Sequence, residues 1–246
     1  MRKLIGSTVA LTVLATSAVA ADLRVRSAPP LTTPVSVYNW TGFYVGIEGG
    51  YGWGEARQTD PLLFNSGGYL VRGGLVGGTV GYNWQFNQLV VGLEGDYSFA
   101  DIRGSTRGFC GGVIPRCSSN LESLGTFRGR IGWAGLLWWN SLMPYVTGGL
   151  AWGPLHGSEG DVLANGAVGS GTTTRAGWTL GAGIEAMLAP NWTAKLEYLY
   201  VDLGRGGVFN DLLPGGAVVT ESIDFRASIF RAGLNYKFDW YRPLMR

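Results

Sequence analysis

The sequence predicts an all-β fold, an eight-stranded antiparallel transmembrane up-and-down β-barrel. Eight runs of roughly ten residues alternate apolar and polar side chains, which is the length that a tilted strand needs to cross a bilayer. The connections between runs alternate between long and short, and where a run carries charges they fall on the side opposite its apolar residues. The chain carries 10 Trp, 11 Tyr and 10 Phe beside 41 Gly and is only 15% charged, which is typical of a barrel with aromatic girdles.

Each run has an apolar side made of alternate residues, as expected for a strand with two unlike faces. Pro144 is tolerated at the start of the fifth run, where a missing backbone donor does little harm. In chain order, the apolar sides comprise Phe43, Val45, Ile47, Tyr51 and Trp53; Val76, Val80, Tyr82 and Trp84; Leu89, Val91, Leu93, Tyr97 and Phe99; Phe127, Ile131 and Trp133; Val146, Leu150 and Trp152; Trp178, Leu180, Ile184 and Leu188; Trp192, Leu196, Tyr198 and Tyr200; and Phe230, Leu234, Tyr236 and Phe238.

The connections predict the orientation of the barrel. A transmembrane barrel has short periplasmic turns and long external loops, and an even number of strands returns both chain ends to the periplasm. A soluble sandwich has no reason to lengthen every second connection. The predicted long loops are residues 54–74, 101–122, 153–175 and 203–224, and the predicted short turns are residues 86–88, 134–142 and 189–191.

The charges predict which side of each strand meets lipid. None of the apolar sides contains Asp, Glu, Lys or Arg. A Lys or Arg facing lipid at the membrane midplane costs about 2–4 kcal/mol, so the charged sides are expected to face the lumen. A soluble barrel would show the reverse arrangement. The predicted lumen charges are Glu48, Glu94, Asp96, Arg128, Arg130, Glu185, Lys195, Glu197, Arg231 and Lys237.

Four segments are expected along the chain. Residues 1–20 have the features of a cleaved secretory signal peptide, because two positive residues precede an apolar run that ends in Ala18-Val19-Ala20. Residues 21–40 contain several prolines and read as a periplasmic linker, residues 41–238 form the barrel, and residues 239–246 form a short tail. Removal of Arg2 and Lys3 leaves 17 basic and 17 acidic residues, so net charge gives no reason to expect nucleic acid as a partner.

Several motifs follow one another across the barrel region. The sequence of these motifs resembles the small eight-stranded outer-membrane barrels of alphaproteobacteria, the RopB-like or opacity-type porin family with an OmpA-like barrel. The motifs are YNWTGFYVG at 38–46, GTFRGRIG at 125–132, PYVTGG at 144–149, WTLGAGIE at 178–185, KLEY at 195–198 and RAGLNYKF at 231–238.

The resemblance implies a place in the cell outer membrane of a Gram-negative bacterium. It implies contact with outer-membrane lipid and lipopolysaccharide, and delivery by periplasmic chaperones to the barrel-assembly machinery. Such barrels usually end in an aromatic residue with apolar residues at alternate positions before it. Here the resemblance implies an internal assembly signal made of Phe230, Leu234, Tyr236 and Phe238, followed by an eight-residue tail.

The five acids and five bases of the lumen allow two interpretations, an ion pathway or a plug. The interior of an eight-stranded barrel is only wide enough for side chains to fill. Balanced charges in so narrow a space are expected to pair, because an unpaired buried charge is more costly than a paired one. The sequence therefore favours a plugged lumen, with a narrow porin-like channel as the alternative.

Little in the sequence indicates a cofactor, a metal or catalysis. Cys110 and Cys117 are predicted to form a disulfide in an external loop of an exported chain, and two Cys with one distant His do not make a zinc site. The glycine pairs lie in predicted strands with no helix after them, so no nucleotide cofactor is expected. His156, Ser158 and Asp161 are the only material for a lipid-modifying site, and they are predicted to lie together in one flexible loop.

Two functions remain open from the sequence, and neither is an enzymatic one. The first is a structural protein that supports envelope integrity. The second is a surface protein whose external loops bind a host surface, a phage or a small ligand, because exposed apolar residues often mark contact sites. The loop residues that would carry such contacts are Leu62, Leu63, Phe64, Val208, Phe209, Leu212 and Leu213.

Overall fold

The chain folds into eight antiparallel strands that close into one barrel. The computed structural model describes residues 38–59, 65–107, 115–135, 141–161, 166–212 and 218–238. Each strand pairs with its neighbours in chain order, and the first strand closes the ring against the last. No helix among these residues is long and apolar enough to span a membrane. The strands are β1 (Gly42–Thr59), β2 (Asn65–Phe86), β3 (Leu89–Thr106), β4 (Pro115–Trp133), β5 (Leu142–Asp161), β6 (Gly166–Ala189), β7 (Trp192–Leu212) and β8 (Val218–Phe238).

Two of the predicted short turns are confirmed. Asn87 and Gln88 join β2 to β3, with Asn87 at φ 56°, a conformation that Asn tolerates better than most residues. Pro190 and Asn191 join β6 to β7. β1 begins and β8 ends at this same end of the barrel, and we call it the periplasmic end because the short turns and both chain ends are expected there.

The outward face of the barrel is apolar over the height of a bilayer. Val45, Ile47, Leu180 and many similar side chains point away from the lumen and are exposed, as predicted. Outward aromatic residues form two belts. The periplasmic girdle comprises Phe43, Tyr82, Trp84, Phe86, Trp133, Trp192, Tyr236 and Phe238, and the external girdle comprises Tyr51, Trp53, Tyr97, Phe99, Trp152, Trp178, Tyr198, Tyr200 and Phe230.

The distance between the girdles matches a membrane. Phe43 and Trp53 lie ten positions apart on β1, which is about 33 Å along a strand. For a strand tilted by about 40°, this corresponds to about 25 Å along the membrane normal, the height of the apolar band of outer-membrane barrels.

The predicted long loops were wrong in extent, because the strands continue well beyond the external girdle. Most of residues 54–74, 101–122, 153–175 and 203–224 belong to β-strands rather than to loops. β6, for example, begins at Gly166, twelve residues before Trp178 of the external girdle. We call this part of the barrel, beyond the external girdle, the extension.

The polarity of the wall inverts where the strands enter the extension. On β8, Arg231 points into the lumen and Phe230 points outward. Towards the external end, Phe225 is buried inside while Arg226 is exposed outside, although the alternation of side-chain directions is unbroken. The extension has water on its outside, so its apolar side chains pack inward as in a soluble barrel. We call the part of the barrel between the two girdles the membrane section. It has lipid on its outside, and its apolar side chains face outward.

A charge placed on the outward face should therefore destabilise the barrel in the membrane section and have little effect in the extension. Ile47→Arg lies between the girdles and is expected to lower the free energy of unfolding by about 2–4 kcal/mol. Thr174→Arg is also outward and exposed but lies in the extension, and is expected to change it by less than about 0.5 kcal/mol. Urea unfolding of the barrel in liposomes measures both variants, and equal losses would contradict the placement of the bilayer.

Candidate functional site

The interior of the membrane section is filled by charged side chains. The structure places all ten predicted lumen charges inside the barrel and buries them. Nine of them form one connected cluster, which we call the charged layer. Its members are Glu48, Glu94, Asp96, Arg128, Arg130, Glu185, Lys195, Glu197 and Arg231.

Arg128, on β4, joins three acids from two other strands. Its Nη2 atom donates to Glu94 Oε1 at 2.5 Å and to Asp96 Oδ2 at 2.8 Å, and both acids lie on β3. Its Nη1 atom donates to Glu197 Oε1 on β7 at 3.0 Å. Its Nε atom donates to Thr126 Oγ1 at 2.8 Å. The guanidinium group, with no exposed surface, therefore has all three nitrogens in use.

Arg231, on β8, bridges the same cluster from the opposite wall. It donates to Asp96 Oδ1 at 3.0 Å, to Glu197 Oε2 at 2.7 Å and to Glu48. Lys195 Nζ lies 3.2 Å from Glu48 Oε2 and 3.1 Å from Glu94 Oε1. These contacts connect β1, β3, β7 and β8 across the lumen, so the charged layer ties opposite walls of the barrel together.

Arg130 extends the charged layer towards the periplasmic end. Its Nη2 atom donates to Glu185 Oε2 at 2.5 Å, and its Nη1 atom donates to Tyr44 Oη at 3.1 Å. Its guanidinium carbon lies 4.2 Å from the centre of the Tyr145 ring, a distance at which a cation–π interaction is favourable.

The two lumen tyrosines lie over glycines of neighbouring strands. A Cβ atom built on Gly81 would come within 2.4 Å of the Tyr44 side chain, and one built on Gly183 would come within 2.7 Å of Tyr145. Any larger residue at these glycines would displace the rings. The rings in turn direct their hydroxyls into the charged layer, where Tyr44 donates to Glu94 Oε2 at 2.8 Å and Tyr145 donates to Glu197 Oε1 at 3.0 Å.

Uncharged donors complete the charged layer, in which five acids face four bases. Every one of its acids accepts a hydrogen bond from at least one neutral side chain, which offsets the cost of burying a carboxylate. Besides the two tyrosines, the donors are Ser98 to Glu48 at 3.3 Å, Thr126 to Asp96 at 2.6 Å, and Thr193 and Asn235 to Glu185 at 2.5 and 3.0 Å.

The tenth lumen charge, Lys237, belongs to a second layer at the periplasmic mouth. Its Nζ atom donates to Asn39 O at 2.5 Å and lies 4.7 Å from the centre of the Tyr38 ring. Tyr38 packs edge to face on Trp40, with ring centres 4.8 Å apart, and both are buried. The Trp40 backbone NH donates to Gln85 Oε1 at 2.7 Å. We call this group the aromatic seal.

The aromatic seal corrects the predicted boundary of the linker. Residues 38–40 were assigned to the linker, but Tyr38 and Trp40 pack with Val90, Met143 and Tyr145 of the barrel. The period of two that locates strands carries no information on residues that precede the first strand.

A third layer fills the extension with apolar side chains. Ile102, Leu121, Leu155 and Phe225 belong to one buried cluster drawn from several strands. Two polar contacts lie beside this cluster: Tyr69 Oη and Ser119 Oγ are 2.5 Å apart, and Gln58 Nε2 donates to Ser118 O at 3.0 Å. The lumen therefore contains an apolar layer, the charged layer and the aromatic seal, in order from the external to the periplasmic end.

The residues considered for catalysis lie on a strand and not in a flexible loop, which corrects the predicted position. His156, Ser158 and Asp161 are part of β5, because that strand continues into the extension. His156 Nδ1 lies 2.8 Å from Thr172 Oγ1, and Ser158 Oγ lies 2.6 Å from Ser118 Oγ, so the His and the Ser have different partners. No group of metal-binding side chains is present within the described ranges.

Some predicted residues fall partly or wholly outside the described ranges. Cys117 is buried and forms a disulfide, but its predicted partner Cys110 is not described, so their pairing stays a prediction. The same holds for the proposed loop contacts: the side chains of Val208, Phe209 and Leu212 on β7 are not described, and Leu62, Leu63, Phe64 and Leu213 lie outside the ranges altogether. The signal peptide, most of the linker and the tail also lie outside them.

The four residues of the predicted assembly signal share the outward face of β8. Phe238 contacts Tyr236 and Phe43 in the periplasmic girdle, with ring centres 5.1 and 5.7 Å apart. Leu234 lies between that girdle and Phe230, opposite Ile47 of β1. These side chains thus form one apolar stripe on β8, the strand that closes the barrel by pairing with β1. Their recognition by the assembly machinery stays a prediction.

Sequence reasoning missed the neutral part of the lumen. Alternation places Tyr44, Tyr145, Thr126, Thr193 and Asn235 on the inward faces of their strands. Alternation alone does not distinguish uncharged donors that bind the acids from other polar residues of the same face.

Comparisons with known proteins agree with this architecture. A family model described as "Outer membrane protein beta-barrel domain" matches residues 7–238. The "31 kDa outer-membrane immunogenic protein" of Brucella melitensis is 36% identical over 91% of this chain and 95% of its own length. The "25 kDa outer-membrane immunogenic protein" of the same organism is 32% identical over 97% and 99%. The "22 kDa outer membrane protein" of Rhizobium leguminosarum is 34% identical over 67% of this chain and 64% of its own length. The alphaproteobacterial resemblance is confirmed.

The charged layer should respond to loss of one member and recover when its partner is neutralised. Arg130→Met leaves Glu185 without its cation and is expected to lower the free energy of unfolding by about 3–5 kcal/mol. Arg130→Met combined with Glu185→Gln should recover part of this loss, because the neutral amide keeps its hydrogen-bond partners. Arg226→Met breaks ion pairs whose arginine is 55% exposed and should cost less than about 1 kcal/mol. Urea unfolding in liposomes measures all three, and an additive double variant would contradict a paired network.

Proposed function

Because the chain belongs to the outer membrane protein β-barrel family, we propose that it is a structural protein that supports the integrity of the outer membrane through a sealed barrel. It lies in the outer membrane, as its relatives do. The observation that carries the proposal is the charged layer, whose side chains are at most 3% exposed. Charges that line an aqueous pathway would be in contact with water, and these are not.

The three lumen layers support a closed barrel by different means. The apolar layer opposes the entry of ions because the aliphatic and aromatic side chains of its cluster offer no hydrogen bonds to replace those that an ion loses with water. The charged layer fills the cross-section with paired side chains, and Trp40 lies buried behind it at the periplasmic mouth. An ion crossing the barrel would have to displace all three layers.

The outer wall supports a cohesive role in the membrane. Tyr and Trp side chains at two levels hold the barrel at the two interfaces of the bilayer, because they have an apolar body and a polar tip. Ion pairs that join opposite walls through the lumen oppose deformation of the cylinder between the girdles. A rigid body with fixed depth is suited to contribute to the mechanical continuity of the membrane.

We assign no catalytic activity to the chain. The relatives are named as immunogenic or outer-membrane proteins, and no enzymatic activity appears in their names. His156 and Ser158 have separate partners, so the described side chains do not form a nucleophile activated by an oriented base.

A second candidate function is recognition at the cell surface. Two relatives carry "immunogenic" in their names, which supports an external end that is accessible from outside the cell. On this candidate, the connections between strands at the external end bind a host surface, a phage or a small ligand. This candidate assumes the same sealed barrel. It differs from the structural role in assigning the function to the external connections and not to the barrel wall.

The sealed barrel is tested by conductance. Wild-type protein reconstituted in planar bilayers is expected to show no steady current. Trp40→Ala removes most of the aromatic seal and should also remain closed, because the charged layer and the apolar layer are still in place. Steady ion-sized channels in the wild type would overturn the closed lumen, and channels in the variant alone would show that the charged layer does not close it.

Complementation separates the structural role from surface recognition. A strain lacking the protein should become sensitive to detergents, and wild-type protein should restore resistance. A variant in which residues 60–64 and 213–217 are replaced by Gly and Ser should restore it equally if the barrel itself has the function. A strain that carries the empty vector serves as the control that should remain sensitive. Failure of the folded loop variant to restore resistance would favour surface recognition over the structural role.

A further inference from the structure

A groove on the outer surface of the extension has the composition of an anion site. It has a volume of about 470 Å³ and lies across β3, β4 and β5. Outward side chains of Ser105, Ser118 and Asn120 contribute hydroxyl and amide groups. Arg103, Arg116 and His156 also line it. The groove therefore offers many hydrogen-bond donors and two permanent positive charges.

Positive charge continues beside the groove on the neighbouring strand. Arg72 of β2 and Arg103 of β3 are register partners, and both point outward. Like charges directly opposite each other on antiparallel strands are destabilising unless an anion lies between them. Thr106 of β3 pairs with Cys117 of β4, and Arg107 and Arg116 each lie one residue beyond this pair towards the external end.

Acidic side chains compensate these arginines only in part. Asp101 accepts a hydrogen bond from Arg103 and raises the pKa of its guanidinium group. Glu122 is exposed at the β4 bulge, closer to the membrane. Within the described side chains, Arg72, Arg107 and Arg116 form no ion pair.

The opposite wall of the extension provides a contrast. Its outward arginines are Arg57, Arg205 and Arg226, and the acids described on its outward face lie close to them. Glu55 is 3.6 Å from Arg57, and Asp202 and Asp224 are 3.3 and 3.2 Å from Arg226. Among the described side chains, charge on that wall is balanced, whereas the β2–β5 side has an excess of positive charge.

The height of the groove places it at the headgroups of the outer leaflet. Arg103 lies four positions beyond Phe99, and His156 lies four positions beyond Trp152, both of the external girdle. Four residues span about 13 Å of strand, or about 10 Å along the membrane normal at a tilt of about 40°. This level is outside the hydrocarbon and within reach of a sugar headgroup attached to lipid.

We propose that this groove and the adjacent Arg72 bind the phosphorylated sugar headgroup of the outer-leaflet glycolipid, lipopolysaccharide. Guanidinium groups bind phosphate oxygens through paired, charge-assisted hydrogen bonds, and the serines and Asn120 can bind sugar hydroxyls. The acyl chains of the same molecule would lie against the apolar wall below. The proposal rests on the structural role proposed above, because a barrel that holds the leaflet's lipid through its headgroup adds cohesion to the membrane.

The test compares two variants that remove equal charge from opposite walls. The groove variant is Arg72→Gln/Arg103→Gln/Arg116→Gln, and the matched control is Arg57→Gln/Arg205→Gln/Arg226→Gln. Purified full-length proteins in detergent micelles are titrated with lipopolysaccharide, and binding is followed by the shift in the unfolding temperature. Wild type and control should bind alike, whereas the groove variant should bind at least about tenfold more weakly, through loss of several charge-assisted contacts.

Two further probes identify the chemistry. Dephosphorylated lipopolysaccharide should bind the wild type as weakly as intact lipopolysaccharide binds the groove variant, and inorganic phosphate should produce no comparable shift. Equal binding by the two arginine variants, or tight binding of the dephosphorylated lipid, would overturn the site. A full response to inorganic phosphate would overturn its assignment to a glycolipid.

Conductance of the groove variant is recorded in parallel. The three arginines lie on the outer surface, so their loss leaves the lumen layers intact. A closed trace with lost lipopolysaccharide binding supports both proposals. A closed trace with unchanged binding removes only the glycolipid site, and a conducting wild type removes only the sealed lumen.

Discussion

The contact between the wall and hydrocarbon determines the remaining structure. Lipid satisfies no backbone hydrogen bond, so a sheet within it must close on itself, and β1 pairs with β8 along its whole length. Lipid also requires apolar side chains on the outward face, and the strict alternation of a strand then leaves the inward face for polar residues. The lumen of this barrel is charged because the outside must be apolar.

In a narrow lumen filled by side chains, each buried charge must find its hydrogen-bond partners among other side chains, which restricts the residues that can occupy it. Arg128 and Arg231 are suited to it, because a planar guanidinium group donates in several directions at once and remains ionised. Each reaches acids on more than one strand, and neutral hydroxyl and amide donors supply what the bases cannot. Buried ion pairs contribute little net stability compared with well-packed apolar residues, but removal of one partner is costly. The charged layer therefore specifies one register and one closed form of the barrel.

The membrane section could be predicted from sequence, whereas the extension could not. Between the girdles, neighbouring residues such as Ile47 and Glu48 differ strongly in polarity. The sequence therefore predicts both the strand and which of its faces points outward. In the first half of β6, residues 166–177 are mostly Gly, Ser, Thr and Ala, which give little contrast between the faces and were interpreted as a loop. Trp40 was missed because its burial depends on the barrel mouth and not on any local period. The long-range pairs within the lumen, such as Arg128 with Glu197, were expected as a class but not individually, because alternation assigns a face and does not assign a partner.

The inversion of polarity divides the wall into parts that differ in their freedom to change. A residue between the girdles is restricted on either face, by lipid outside and by the charged layer or the lumen tyrosines inside. In the extension, only the inward face is restricted, by apolar packing around residues such as Phe225. The outward face there meets water and headgroups, and substitutions on it cost little folding stability. Residues that determine what the barrel binds are therefore expected on this face and at the external end, where the described side chains of the β2–β5 side carry an excess of positive charge. Stability and recognition are in this way assigned to different surfaces of one continuous sheet.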